Sequence, residues 1–259
     1  MTAEAALIGL LGELSDYLWP FVRIGAFVMV MPLVGSSFVP TTARLLIGLA
    51  LTLVMAPVLP TYEVPEILSL AGVVLVFQEL AIGIAMGFAV QIMFDAITLG
   101  GQVIAMSMGL GFAVFLDRAR GVNVPVLGQL FLILGMLIFL TLNGHLALIE
   151  LLAESFFLLP IASGGLSLPA VSFLLEWSAQ LFVLALKIAL PALAALIVVN
   201  LSFGVMSRAA PTLNLFAVGF PVAMLLGFVI IFLNMGGLQE NVALFLNETL
   251  FMLPTLLGR

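Results

Sequence analysis

A chain of 259 residues that is 64% hydrophobic and only 8% charged, with a mean hydropathy of +1.37, cannot cover a water-facing surface. Soluble globular domains carry about 25% charged residues. The net charge of −6 comes from 13 acids and 7 bases spread thinly, which argues against nucleic-acid binding, and the absence of cysteine removes disulfides, thiolate metal sites and cysteine nucleophiles.

The chain opens with Glu4, Glu13 and Asp16 and no base, unlike the positive start of a secretory signal, so the first apolar stretch is expected to stay in the mature protein. Six apolar segments follow, at about 17–34, 45–60, 67–94, 126–142, 173–200 and 213–235. Each is near or above the roughly 18 residues that span hydrocarbon, except the second and fourth, which are marginal. None alternates with period two over the length of a barrel strand. The expected fold is therefore an all-α membrane protein, one domain over residues 1–259, with about six long hydrophobic helices in hairpins. The connections after segments one, three and five carry Arg44, then Arg118 and Arg120, then Arg208, whereas the other side holds only Arg259. The positive-inside rule places those three loops in the cytoplasm and both termini outside.

Arg23 lies inside segment one, Glu79 inside segment three and Lys187 inside segment five. An ionisable group at the centre of a span costs about 2.5–3.5 kcal/mol. These three are expected to face a pore, a partner subunit or one another; snorkelling to an interface is the other reading, open to the long Arg23 and Lys187 side chains more than to Glu79. In segment three Glu79, Gly83, Gly87, Gln91 and Asp95 recur every four residues and share one slowly drifting helix face. Gly83 and Gly87 form GxxxG, which admits another backbone closely. Two readings of this stripe stay open: an ordinary contact within the chain and, the sharper one, a contact with a neighbouring subunit.

Residues 96–116, AITLGGQVIAMSMGLGFAVFL, hold no charge, yet Gly100, Gly101, Gly109 and Gly111 are expected to spoil a regular helix. A broken helix is tolerated at membrane depth only inside protein or along an aqueous cavity. Met106, Met108, Phe112 and Phe115 add deformable, bulky apolar surface. The expectation is a re-entrant or pore-inserted loop that plugs a conduit; a long, partly helical cytoplasmic connector is the alternative. Further on, Pro191 predicts a bend in segment five. Pro211 and Asn214 predict a short turn that makes segments five and six a helical hairpin. Residues 236–259 are expected to form a C-terminal amphipathic segment.

No reaction centre emerges. His145 is the only histidine and cannot build a transition-metal site without cysteine, and no phosphate-binding glycine loop is present. No base is placed to activate a nucleophile. Neither enzyme activity nor a cofactor is expected.

Four stretches carry a family resemblance: RIGAFVMVMPLVGSSFVPTTARLLIGLALTLVMAPVLP (23–60), the run from QELAIGIAMGF to MGLGFAVFLD (78–117), NGHLALIELLAESFFLLP (143–160) and KIALPALAALIVVNLSFGVMSRAAPTLNLFAVGFP (187–221). In this order and spacing the chain resembles the FliR family of flagellar export-apparatus proteins, whose injectisome counterpart is SctT. One departure is that Arg118 follows Asp117 where many relatives have proline. The resemblance implies a helical export gate built with FliP and FliQ, with FlhB around its cytoplasmic entrance, in the bacterial inner membrane at the flagellar basal body. It implies passage of unfolded flagellar subunits, driven by the proton motive force and an associated ATPase. It also implies a FliP-like part over about 1–170 with a plug near 96–122, and a FliQ-like hairpin over about 173–235. Part of such a gate is held above the bilayer, where buried Arg23, Glu79 and Lys187 would sit more easily than against lipid. The competing classes are an injectisome subunit, a secondary small-molecule transporter and a membrane scaffold; a transporter would favour related halves around a midplane site, and no internal similarity is visible.

Overall fold

The computed structural model describes residues 3–35, 39–60, 62, 65, 69–111, 126–209 and 215–258. Among them the regular structure is helical throughout. In chain order the helices are α1 (Ala3–Val30), α2 (Pro32–Gly35), α3 (Thr41–Met55) with a 3-10 turn at Ala56–Val58, α4 (Leu70–Ser107), α5 (Val126–Thr141), α6 (Gly144–Leu158), α7 (Leu168–Ser178), α8 (Gln180–Ala209), α9 (Leu215–Leu233) and α10 (Met235–Leu256).

By length and composition, three described stretches can cross a membrane: Thr41–Val58, Leu70–Ser107 and Leu168–Ala209. The number rises to five if α5 with α6, and α9 with α10, each count as one broken span. The sixth expected span, 17–34, is not among them. Its helix α1 starts well before residue 17, among Glu4, Glu13 and Asp16, and its far half packs Trp19, Arg23, Ile24, Phe27 and Val28 inside protein. Local hydropathy cannot tell a lipid-facing helix from one buried in its own chain, and here the second holds.

The chain divides into two compact units. The first comprises Met1–Ile92, Asn143–Ser178 and Asn247–Arg259. In it α3 lies on α1, with Gly48 against the Gly25 backbone and the Phe21 ring. The start of α4 also meets α1: a Cβ added at Gly83 would collide with the Arg23 carbonyl oxygen and stand 2.8 Å from the Ala26 side chain, and one at Gly87 would stand 2.8 Å from Val30. The GxxxG face is therefore filled by this chain's own first helix. The sharper expectation, a neighbouring subunit at Gly83 and Gly87, is corrected.

The second unit comprises Met93–Leu142 and Ala179–Leu246. Here α4 continues without interruption through Gly100 and Gly101 to Ser107. The expectation that these glycines break the helix fails, because each is a point of close packing. A Cβ at Gly100 would lie 3.0 Å from Ile188 on α8, and one at Gly101 would lie 2.9 Å from Phe131 on α5. The helix stops at Gly109, whose φ of +83° is the left-handed conformation that glycine adopts freely. Gly109 N–H donates to Met106 O at 3.1 Å and Leu110 N–H to Ala105 O at 3.0 Å, a Schellman closure. Helix α8 runs through Pro191, and α9 packs against it, with Gly219 beside the Phe203 ring. The turn expected at Pro211 and Asn214 lies outside the described residues.

Gly83 and Gly204 make opposite predictions. Gly83→Leu should lower stability by about 1–3 kcal/mol through overpacking against α1. Gly204 faces open space on α8, so Gly204→Ala should raise stability by about 0.5–1 kcal/mol through helix propensity. Thermal unfolding of the two variants in detergent checks both signs.

Candidate functional site

Arg23 on α1, wholly buried, meets Glu79 on α4, which is 1% exposed. Arg23 Nε donates to Glu79 Oε2 at 2.6 Å. Nη1 donates to the Ser155 carbonyl oxygen at 2.9 Å and to Ser155 Oγ at 3.3 Å, while Nη2 donates to the Leu159 carbonyl oxygen at 2.9 Å. The guanidinium carbon sits 4.3 Å from the centroid of the Phe156 ring, a cation–π contact. Ser155 Oγ in turn donates to Leu152 O at 2.6 Å.

The local sequence explains why the pair is tolerated. Helix α6 ends at Leu158, so the carbonyl of its C-cap residue Leu159 lies past the helical ladder, while Ser155 O accepts from the Leu159 N–H at 3.0 Å and keeps a second lone pair for Arg23. A planar guanidinium supplies several donors in fixed directions and a positive charge at the negative end of the helix dipole. Arg23 thus answers a carboxylate and a helix end at once, and three helices of the first unit meet on it. Nearby, the Tyr62 hydroxyl donates to the Asp16 carbonyl oxygen at 2.9 Å. Burial, then the charges of Asp16 and Glu79, push the Tyr62 phenol far above its ordinary range, so it remains a donor.

Of the three ionisable groups flagged in the sequence, two pair with each other and the third stands apart. Lys187 is exposed on α8 and not buried, which corrects that part of the expectation. Along the α4 stripe, burial fades from Glu79, Gly83 and Gly87 through half-buried Gln91 to exposed Asp95. Gln91 and Asp95 both have partners within the chain.

The candidate plug residues separate in the same way. Met106 is 73% exposed, whereas Met108 is 1% exposed and fills the space over Gly227 on α9, where a Cβ would stand 2.5 Å from its side chain. Phe112 and Phe115 lie outside the described residues, as do Arg118 and Arg120. Asn200 on α8 donates its side-chain amide to the Ser107 carbonyl oxygen at 3.4 Å, supplying the last turn of α4 with a donor. Arg44 is half-buried and its Nε donates to Val39 O at 3.0 Å; Arg208 is exposed in the last turn of α8. Among the described residues no group of three or more His, Asp and Glu is placed to hold a metal ion.

Sequence reasoning missed Ser155, Leu159, Tyr62 and Asn200. Two of the partners that Arg23 finds are backbone carbonyls, which leave no residue-type signature. Ser155 and Leu159 do fall inside the third family-like stretch, 143–160, but nothing in that stretch marks them.

Residues 14–249 match the family described as bacterial export proteins, family 1. The chain is similar to the flagellar biosynthetic protein FliR of Pectobacterium carotovorum subsp. carotovorum, with 38% identity over 83% of this chain and 82% of the relative. It is similar to the FliR of Escherichia coli (strain K12), with 38% identity over 84% of this chain and 83% of the relative. The FliR of Bacillus subtilis (strain 168) is 27% identical over 93% of this chain and 95% of its own length.

Removing one partner of the buried pair should cost far more than removing both. Arg23→Met or Glu79→Leu alone should destabilise the chain by about 3–5 kcal/mol, because each leaves a buried charge unanswered. The double variant should recover part of that loss, limited by the Leu159 carbonyl that Arg23 no longer satisfies. Melting temperatures of the three variants in detergent give the comparison.

Proposed function

The chain belongs to the bacterial export proteins, family 1, the family of the flagellar biosynthetic protein FliR, and we propose that it builds the flagellar protein export gate with FliP and FliQ. The family is one of export proteins and not of enzymes. In this reading the gate passes unfolded flagellar subunits, FlhB lies at its cytoplasmic entrance, and the assembly sits in the inner membrane at the flagellar basal body. The α8–α9 pair is the FliQ-like hairpin, and the part up to about residue 170 is FliP-like. The segment after α4 contributes the plug, and Arg44, Arg118, Arg120 and Arg208 face the cytoplasm.

The observation that carries this reading is the family match over nearly the whole chain. The surface supports it. Leu46 and Val54 on α3, Ile197 and Leu201 on α8, and Leu225 and Phe232 on α9 are all more than 60% exposed, a surface suited to lipid or to other subunits. The capped end of α4 and exposed Met106 support a plug, since the chain leaves the helix abruptly with an apolar side chain outward. Flagellar rather than injectisome use follows the relatives described above, each named a flagellar protein.

A tagged chain extracted in mild detergent should bring down the FliP and FliQ homologues of its own cell. Transport of a small solute by the chain alone in liposomes would favour a transporter instead. Deleting residues 106–115 should raise the ion permeability of membranes that carry the assembled gate. Unchanged permeability with the complex intact would count against the plug.

A further inference from the structure

Lys187 is the only lysine in the chain. It lies on the outer face of α8 and makes no hydrogen bond or ion pair with any described residue. Its exposed surroundings on the helix are Val183, Leu186 and Leu190, all 47–54% exposed and all aliphatic. Apolar exposure continues on both sides of it, with Phe182 at 69% before and Ile197 at 62% after. The ammonium therefore stands within an apolar strip and not at its edge.

A second feature of the same turn concerns the backbone. Pro191 has no N–H, and in a regular helix that N–H would bond the carbonyl of Lys187, four residues earlier. The same residue thus presents a side-chain cation and a carbonyl deprived of its helical donor. Hydrocarbon satisfies neither. A lipid phosphate could pair with the ammonium but offers no donor to the carbonyl.

We propose that the Lys187 face of α8 docks an apolar helix of another subunit that carries a carboxylate among aliphatic side chains. The carboxylate pairs with the Lys187 ammonium. A side-chain donor on the same partner turn (an amide or hydroxyl) reaches the Lys187 carbonyl. The aliphatic neighbours exclude water, so the pair is desolvated and specifies register and partner more than it adds affinity. This rests on the reading of the chain as a subunit of a multi-chain gate, whose copurification is tested separately.

A single lysine makes the test direct. The purified complex is treated with a carbodiimide, which joins an amine to a contacting carboxylate, and cross-linked peptides are identified by mass spectrometry. The expected result is a Lys187 amide to an Asp or Glu in an apolar helix of another chain. In parallel, Lys187→Glu should lower recovery of that partner by about thirtyfold or more, as for a broken desolvated charge pair, while Lys187→Arg should stay close to the parent. An intact complex with no inter-chain product at Lys187, together with normal assembly of Lys187→Met and Lys187→Glu, overturns the proposal and points to a lipid headgroup. A Lys187 product only within its own chain overturns it as well. Loss of every partner from the unmodified chain would instead sink the export-gate reading itself.

Discussion

The first unit is organised around one desolvated cation. Arg23 enters the interior on α1, and each nitrogen of its guanidinium donates to something the rest of the chain must place there. Glu79 has to sit at one turn of α4, and the end of α6 has to present the Ser155 and Leu159 carbonyls. A buried pair of this kind is weak evidence of net stability, because dehydrating both charges offsets much of their attraction. Its effect is on uniqueness: a helix shifted by one turn would leave a charge unanswered in an apolar interior.

The glycines make that geometry reachable. Arg23 and Glu79 can pair at 2.6 Å only if α4 comes very close to α1. Gly83, one helical turn beyond Glu79, removes the Cβ that would strike the Arg23 carbonyl, and Gly87 does the same against Val30. The same device recurs in the second unit, where Gly100 and Gly101 let α8 and α5 approach α4 on two sides. Glycine lowers helix propensity by about 1 kcal/mol, yet α4 is the longest helix in the described chain. Packing against neighbouring helices outweighs the local preference.

A contrast between the two ends of the hydropathy scale links this packing to function. Arg23 and Glu79 of the first unit are turned inward and answer each other, whereas Lys187 and long aliphatic faces of α3, α8 and α9 are turned outward. A helix that carries both apolar surface and an ammonium with no partner among the described residues has surface left for something outside the chain to cover. The family to which the chain belongs is one of export proteins, and a subunit of a larger assembly is the kind of molecule in which such faces find their complement.

Composition and hydropathy pattern made the solvent and the helical class legible, because those depend on summed hydropathy, segment length and period. The periodic stripe from Glu79 to Asp95 was likewise legible, since helix geometry fixes which residues share a face. Three matters were not legible: that the far half of α1 is buried in its own chain, that Gly100 and Gly101 sit inside an unbroken helix, and that Arg23 finds Glu79 while Lys187 finds no partner among the described residues. Each turns on which surface lies opposite, 56 residues away in the case of Arg23 and Glu79. A sequence specifies what a residue can bond and which way it faces on its helix; only the packing of helices decides whether protein, lipid or another subunit stands there to meet it.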